Sequence, residues 1–318
     1  MKYDDFFGLM RYSPMWRKHR REFHSTFNQA VVNLYHPVIL EERINLLRDL
    51  LAYPSEYRKH TKRNKELLHH ARMIETFPDV DDPRYEEVYN IAQDCSAQVY
   101  GAASDTSFSN GIAFFLVLAM YPEVQKRAQK EIDEVMGFGK LPDFNDRPQL
   151  VYVEALIMEL LRWHQPVPLG VAHATSEDDL YEGYFIPKGT VVMGNIWHIL
   201  HNPETYPDPF NFNPDRFIKD GKINQEVTDP FEATFGFGRR ICPGRYIALD
   251  TLYALISSTL AMFDVSVPKD ENGNPDIKPS FSIGIMCQPE PFECSITPRS
   301  ERHEELIQSL YTSLPSNP

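Results

Sequence analysis

Apolar side chains recur at helical spacing over much of the chain. Val88, Ile91, Ala92, Cys95 and Val99 form one stripe, and Phe114, Phe115 and Leu118 form a second. Together they predict one long helix from Arg84 to Met120, ended by Tyr121-Pro122. Between the stripes lies Gly101-Ala-Ala-Ser-Asp-Thr-Ser107, small and hydroxylic where a core helix carries bulk. Further helices are predicted over Glu123 to Met136 and Tyr152 to Trp163. The second is apolar on one side through Val153, Leu156, Ile157, Leu160 and Leu161. Before Glu75 the pattern is of polar helical segments dense in Arg, Lys and His, among them Trp16 to Phe27 and Leu46 to Tyr53.

After Pro166 the texture changes. Short runs punctuated by proline and glycine, such as Tyr184-Phe-Ile-Pro-Lys-Gly-Thr-Val-Val-Met193, predict strands joined by turns. A proline-rich meander follows from Asn202 to Phe217, then a loop rich in Gly and Phe, then a last apolar helix from Ile247 to Phe263. With no internal repeat and no flexible linker, the 318 residues read as one mainly α domain with a small β portion.

Composition narrows the function. At 42% hydrophobic and 12% aromatic residues the chain can bury a sizeable core. A net charge of −13 argues against nucleic acid as a partner, since phosphate binding needs a basic footprint, and disfavours an anionic membrane surface for the same reason. The four cysteines, Cys95, Cys242, Cys287 and Cys294, form no C-x-x-C pair and read as reduced thiols. No apolar run is long enough for a membrane span. His198 and His201 lack the glutamate and i,i+4 spacing of a zinc helix and read as packing or surface residues.

The most informative stretch is Phe235-x-x-Gly238-x-Arg240-x-Cys242-x-Gly244. It resembles the haem-ligand loop of the cytochrome P450 family. The resemblance implies Cys242 as the thiolate axial ligand of haem iron, a ligand that pushes electron density onto the metal and favours O–O cleavage. It also implies Arg240 on a haem propionate, Phe235 shielding the sulfur, and Gly238 and Gly244 allowing close approach to the porphyrin. Pro243 suits the first turn of the helix that follows, and a helix N-terminus beside Cys242 is expected to lower the thiol pKa.

Other motifs agree in the family's order. Glu159-Leu-Leu-Arg162 is similar to its E-x-x-R, and Phe212-Asn-Phe-Asn-Pro-Asp-Arg-Phe217 to its P-E-R-F segment, with Asp215 where Glu is usual. The implied structural triad is Glu159, Arg162 and Arg216. The segment holding Asp105 and Thr106 resembles the oxygen-activation turn, which implies that both manage protons and that the small residues leave a groove, with a local distortion of the helix. Trp16-Arg-Lys-His-Arg20 resembles W-x-x-x-R, implying propionate contacts from Trp16 and Arg20, with His173 in a position that serves the same end. Texture such as Tyr184-Phe-Ile-Pro-Lys-Gly189 resembles fungal members.

The resemblance is whole from Arg84 onward and broken before it. The expectation is a single haem-thiolate domain over residues 1–318, of cytochrome P450 architecture but incomplete. It lacks the family's N-terminal anchor and first strands, and between Tyr57 and Glu75 the pair of helices that roofs the substrate pocket. Lost strands would leave an unpaired sheet edge. The implied activity is insertion of one atom of dioxygen into a small apolar organic substrate, with haem b (iron protoporphyrin IX) as cofactor and electrons from NADPH through a flavin reductase. Arg239 and Arg245 form with Arg240 a basic cluster, in which Arg239 and Arg245 are expected to face outward, either toward that reductase or as a solvated face. The implied location is intracellular, at the cytosolic face of the endoplasmic reticulum. The alternative is a catalytically impaired haem-binding remnant, or truncated gene product, of the same family.

Overall fold

The computed structural model describes residues 7–66, 81–273 and 275–314. Ten helices occur among them: α1 (Pro14–Phe27), α2 (His36–Ala52), α3 (Tyr57–Glu66), α4 (Tyr85–Met120), α5 (Pro122–Met136), α6 (Val151–Trp163), α7 (Ile196–Leu200), α8 (Phe231–Thr234), α9 (Arg245–Met262) and α10 (Glu301–Thr312). The strands are β1 (His173–Ala174), β2 (Asp179–Tyr181), β3 (Tyr184–Ile186), β4 (Val191–Val192), β5 (Ile218–Lys219), β6 (Lys222–Ile223), β7 (Phe263–Ser266) and β8 (Ser295–Pro298). They pair only as two-stranded antiparallel ribbons, β1 with β4, β2 with β3, β5 with β6 and β7 with β8. The protein is therefore mainly α with a small β portion.

Local chemistry explains the helix ends. Ser13 caps α1, its hydroxyl accepting from Trp16 N–H at 3.1 Å, and Pro14 fills the first turn, where no N–H is needed. Trp16, His19, Phe23 and Phe27 then fall on one buried face. Pro122 cannot continue α4, so α5 departs at 104° from it. Helix α2 begins ten residues before the run predicted from Leu46, because Pro37 starts it at His36.

The main core gathers α2, α4, α6 and α9 through Leu47, Leu50, Phe114, Phe115, Leu156, Leu160, Ile256 and Leu260. A second cluster packs α1 on the first half of α4 and on α9, with Trp16, Phe23 and Phe27 against Cys95, Val99 and Ile247. The expected distortion of α4 is absent: residues 101–107 continue as regular helix, with Thr106 bonding back to the preceding turn. Strands β1 to β4 hold most of their apolar side chains in solvent, Leu180, Tyr184, Phe185, Val191 and Val192 among them. The segment expected to have lost its roof helices runs from α3 into residues 67–80, which lie outside the described residues. Among the described residues no single helix is long and apolar enough to cross a membrane.

Candidate functional site

The cysteine loop joins α8 to α9. Gly236 and Gly238 take φ of 78° and 57°, a left-handed backbone that a Cβ would strain, and turns form on either side as Gly236 N–H donates to Ala233 O and Ile241 N–H to Gly238 O. Three backbone carbonyls then fix the cysteine. Cys242 N–H donates to Phe235 O at 2.8 Å, Arg20 Nη1 donates to Ile241 O at 2.8 Å, and Arg245 Nη1 to Cys242 O at 3.1 Å. Gly244 is the N-cap of α9 and has an ordinary φ of −87°; the nearest atom to a Cβ there is Ile247 at 3.9 Å. Its need for glycine does not come from the backbone itself.

Burial pushes the Cys242 thiol up, while the Gly244 N–H and the Arg20 and Arg245 guanidiniums pull it down, with burial prevailing. The lowered thiol pKa expected from the helix end is thus not what the polypeptide alone produces, because desolvation outweighs a partial charge at one helix terminus. Arg245 departs from expectation too. Its second nitrogen donates to Tyr246 OH at 2.9 Å, so it is engaged with its own loop rather than turned to solvent. Arg239 does face outward, over the Tyr12 ring at 5.1 Å.

Helix α1 lies against this loop. Arg240 donates to Met10 O at 2.8 Å and stacks over Trp16 at 4.5 Å. Trp16 is 3% exposed, and its Nε1–H is buried with no hydrogen-bond partner among the described residues. Arg20, on the next turn of α1, bears on Cys242 electrostatically. Trp16, Arg20, Arg240 and Cys242 are therefore brought together. His173 is not: it sits exposed on β1 opposite Val192, and among the described residues no hydrogen bond ties it to the cluster.

Thr106 Oγ1 donates to Ala102 O at 2.8 Å, and Asp105 is exposed beside it. Helical periodicity puts Thr106 on the face of α4 that carries Cys95 and Val99 onto α1. Sequence reasoning did not reach Ser109 and Asn110, one turn further on. Ser109 is fully buried and hydrogen-bonded to His164, and Asn110 Oδ1 is buried without a partner among the described residues. Their signal is two polar residues just ahead of the apolar run Ile112 to Leu118.

On α6, Glu159 accepts from Arg162 twice, at 2.7 and 2.8 Å, and from Arg216 Nε at 3.0 Å. Glu159 also accepts from Asn213 N–H at 2.8 Å, while Arg162 and Arg216 donate to the carbonyls of Leu200 and Pro207. Asp215 instead pairs outward with Arg127 at 2.6 Å. This buried cluster pins the meander to α6. His201 stacks on Trp197 at 4.5 Å and His198 is exposed.

The donor set suits a flat, anionic, thiolate-ligated group. An orphaned indole N–H and two guanidiniums face one region, and a thiol is held on a rigid loop beside it. Haem, with two propionates, fits these residues.

An α-rich bundle with small ribbons and a cysteine loop of this kind defines the class of protein. A family profile described as Cytochrome P450 matches residues 89–296, and the chain belongs to that family. It is similar to cytochrome P450 monooxygenase COX1 of Coprinopsis cinerea, 33% identical over 97% of this chain and 78% of the relative. Cytochrome P450 monooxygenase COX2 of the same fungus is 48% identical over 77% of this chain. The O-methylsterigmatocystin oxidoreductase of Aspergillus flavus is 42% identical over 69%. The chain spans 47% and 41% of these last two, less than half the length of each. A zebra fish cytochrome P450 solved with abiraterone superposes with a TM-score of 0.73 at 24% identity, over 93% of this chain and 85% of that one, and shows the shared fold. Haem is the cofactor that family membership implies.

Proposed function

We propose that this chain binds haem b through the Cys242 thiolate and serves a monooxygenase reaction. One atom of dioxygen enters a small apolar organic substrate, and the other leaves as water. The two electrons come from NADPH through a flavin reductase. One observation supports this above the rest: the unpartnered Trp16 Nε1–H lies under Arg240, on the helix whose Arg20 grips the cysteine loop.

Haem, when bound, supplies the iron at which dioxygen is reduced. The residues do the remainder. Trp16, Arg20 and Arg240 would hold the propionates, and the tethers on Ile241 and Cys242 keep the sulfur in place. Phe235 holds the loop through its carbonyl and packs on the core beside it. The Thr106 hydroxyl, parked on Ala102 O, needs one rotation about its side-chain bond to hold a water in the groove. Asp105, exposed beside it, would relay protons to that water. His173 joins the propionate set only if β1 shifts toward α1. The proposed station of the full protein is the cytosolic face of the endoplasmic reticulum, checked by imaging a tagged copy.

A second reading, haem binding without useful turnover, is favoured by the solvent-facing apolar strands β1 to β4 and by fully exposed Ile283. A wet site loses substrate orientation and protection of reactive species. The test of both is spectral. Reconstituted protein, reduced under carbon monoxide, is expected to show the red-shifted Soret band of thiolate-ligated haem, and Cys242→Ala to lose it. A wild-type band of free or His-ligated haem would overturn the assignment. Product formation with an added reductase separates the two readings.

A further inference from the structure

One turn past Thr106, α4 is tied to two other parts of the chain through a single hydroxyl. Ser109 Oγ donates to Cys287 O at 2.8 Å and lies 2.7 Å from His164 Nε2. A serine hydroxyl has one proton, and here the Cys287 carbonyl receives it. His164 must then be the donor in the second bond, with its proton on Nε2. Burial supports the neutral ring, pulling its pKa down to about 3.

Both partners are themselves fixed. His164 follows α6, whose Glu159 and Arg162 are fully buried and mutually bonded, and its ring stacks on Phe281 at 5.4 Å. Cys287 closes a hairpin. Its N–H donates to Pro166 O at 2.8 Å, Ser282 N–H donates to Gln288 O at 2.8 Å, and Phe281 bridges Pro289. The hairpin ends in Ile283 and Ile285, both fully in solvent. An ordinary core histidine needs packing and one partner. His164 has more: through Ser109 it joins the turn after Thr106 to the base of an apolar-tipped hairpin.

We propose that His164 is a positioning residue, which holds the Thr106 turn of α4 and the hairpin 281–289 at a fixed spacing by donating to Ser109. The proposal rests on the reading of Thr106 as part of a haem site. Its chemistry is a hydrogen bond and no proton is transferred.

Three variants test it: His164→Phe keeps the ring and its stack on Phe281 but removes the donor, His164→Gln restores an N–H near the same place, and Ser109→Ala removes the shared hydroxyl. In the full chain, amide exchange of residues 282–288 is expected to quicken about tenfold in His164→Phe and Ser109→Ala, the change for one lost buried hydrogen bond. Exchange elsewhere and the thermal midpoint should move little, and His164→Gln should return to within about twofold of wild type. In haem-loaded protein the infrared stretch of bound carbon monoxide, which senses the polar groups above the iron, should shift in the first two variants and return in the third. A uniform rise in exchange, no rise, no rescue by glutamine, or an unmoved carbon monoxide band each overturns the proposal. Failure of the haem reading shows separately, as a wild-type Soret band of the wrong kind, and leaves the exchange result to decide the clasp.

Discussion

The Arg240 guanidinium lies 4.5 Å from the centre of the Trp16 ring, whose own Nε1–H is buried and unpaired. A cation over a tryptophan is favourable, while a desolvated N–H without an acceptor is costly. An anionic acceptor such as a propionate, entering beside both groups, would satisfy the N–H and pair with the cation.

Trp16→Phe therefore keeps the ring under Arg240 and deletes only the N–H. A hydrogen bond to a charged group contributes about 1.5–3 kcal/mol, so haem should leave this variant ten- to a hundredfold faster, by about the same energy. Transfer of haem to a scavenger apoprotein measures the rate. An unchanged rate would remove Trp16 from the haem contacts.

Glu159 has two arginines on its carboxylate and no solvent. Removing its charge in Glu159→Gln leaves Arg162 buried without compensation, which costs about 3–5 kcal/mol. Denaturant unfolding should show a loss of that size, with the meander near Arg216 the first region to gain proteolytic sensitivity. A loss below about 1 kcal/mol would mean the cluster is as weak as a surface ion pair.

What the sequence made legible and what it hid divide along chain distance. The cysteine loop, the Glu159–Arg162 pair and the α4 stripe are local patterns, because a turn, an i,i+3 pair and a helical face each need only neighbours. Ser109, His164 and Cys287 are far apart in sequence and meet only through packing, so no spacing announces them. Arg245 was misplaced because a charge beside a motif reads as surface until its acceptors are known. Helix α10 went unread although Leu306, Ile307 and Leu310 carry its pattern onto the core. Neither Glu159 nor Arg162 announces by itself that Arg216 completes the cluster; that took the meander.

Thr106→Ala tests the proton path. Among the described residues the hydroxyl bonds to Ala102 O along its own helix, so its loss should leave the haem spectrum and the fold intact. In the full-length protein the expected change is a diversion of reducing equivalents to peroxide, read as peroxide formed per oxygen consumed. Unchanged coupling would reassign the role to Ser107 or Asn110.

His164 makes the fold acid-sensitive. Its pKa falls from an ordinary 6.5 to about 3 on burial. Below pH 6.5 the unfolded chain takes up a proton that the folded one refuses, so stability is full above 6.5 and declines as pH falls toward 3. The slope from this group is about 1.4 kcal/mol per pH unit. Unfolding free energies measured across that window should flatten by about that slope in His164→Gln. An identical slope in the variant would show that the ring takes up its proton without unfolding.

The last expectation concerns the electron donor. In a chain of net charge −13, Arg17, Arg21 and Arg239 stand exposed around α1 and the cysteine loop, with Arg17 and Arg239 both over Tyr12. A local positive field of this kind steers an acidic partner toward the Cys242 loop, and salt screens it over about 10 Å at 0.1 M. Arg17→Glu with Arg239→Glu should slow reduction by a flavin reductase about tenfold at low salt, with the difference shrinking as salt rises. Arg302→Glu, on a helix that packs over α2 and α9, serves as the control and should leave the rate unchanged. Equal rates for both variants at every salt concentration would mean that the cluster is a solvated face and that reduction proceeds through another surface.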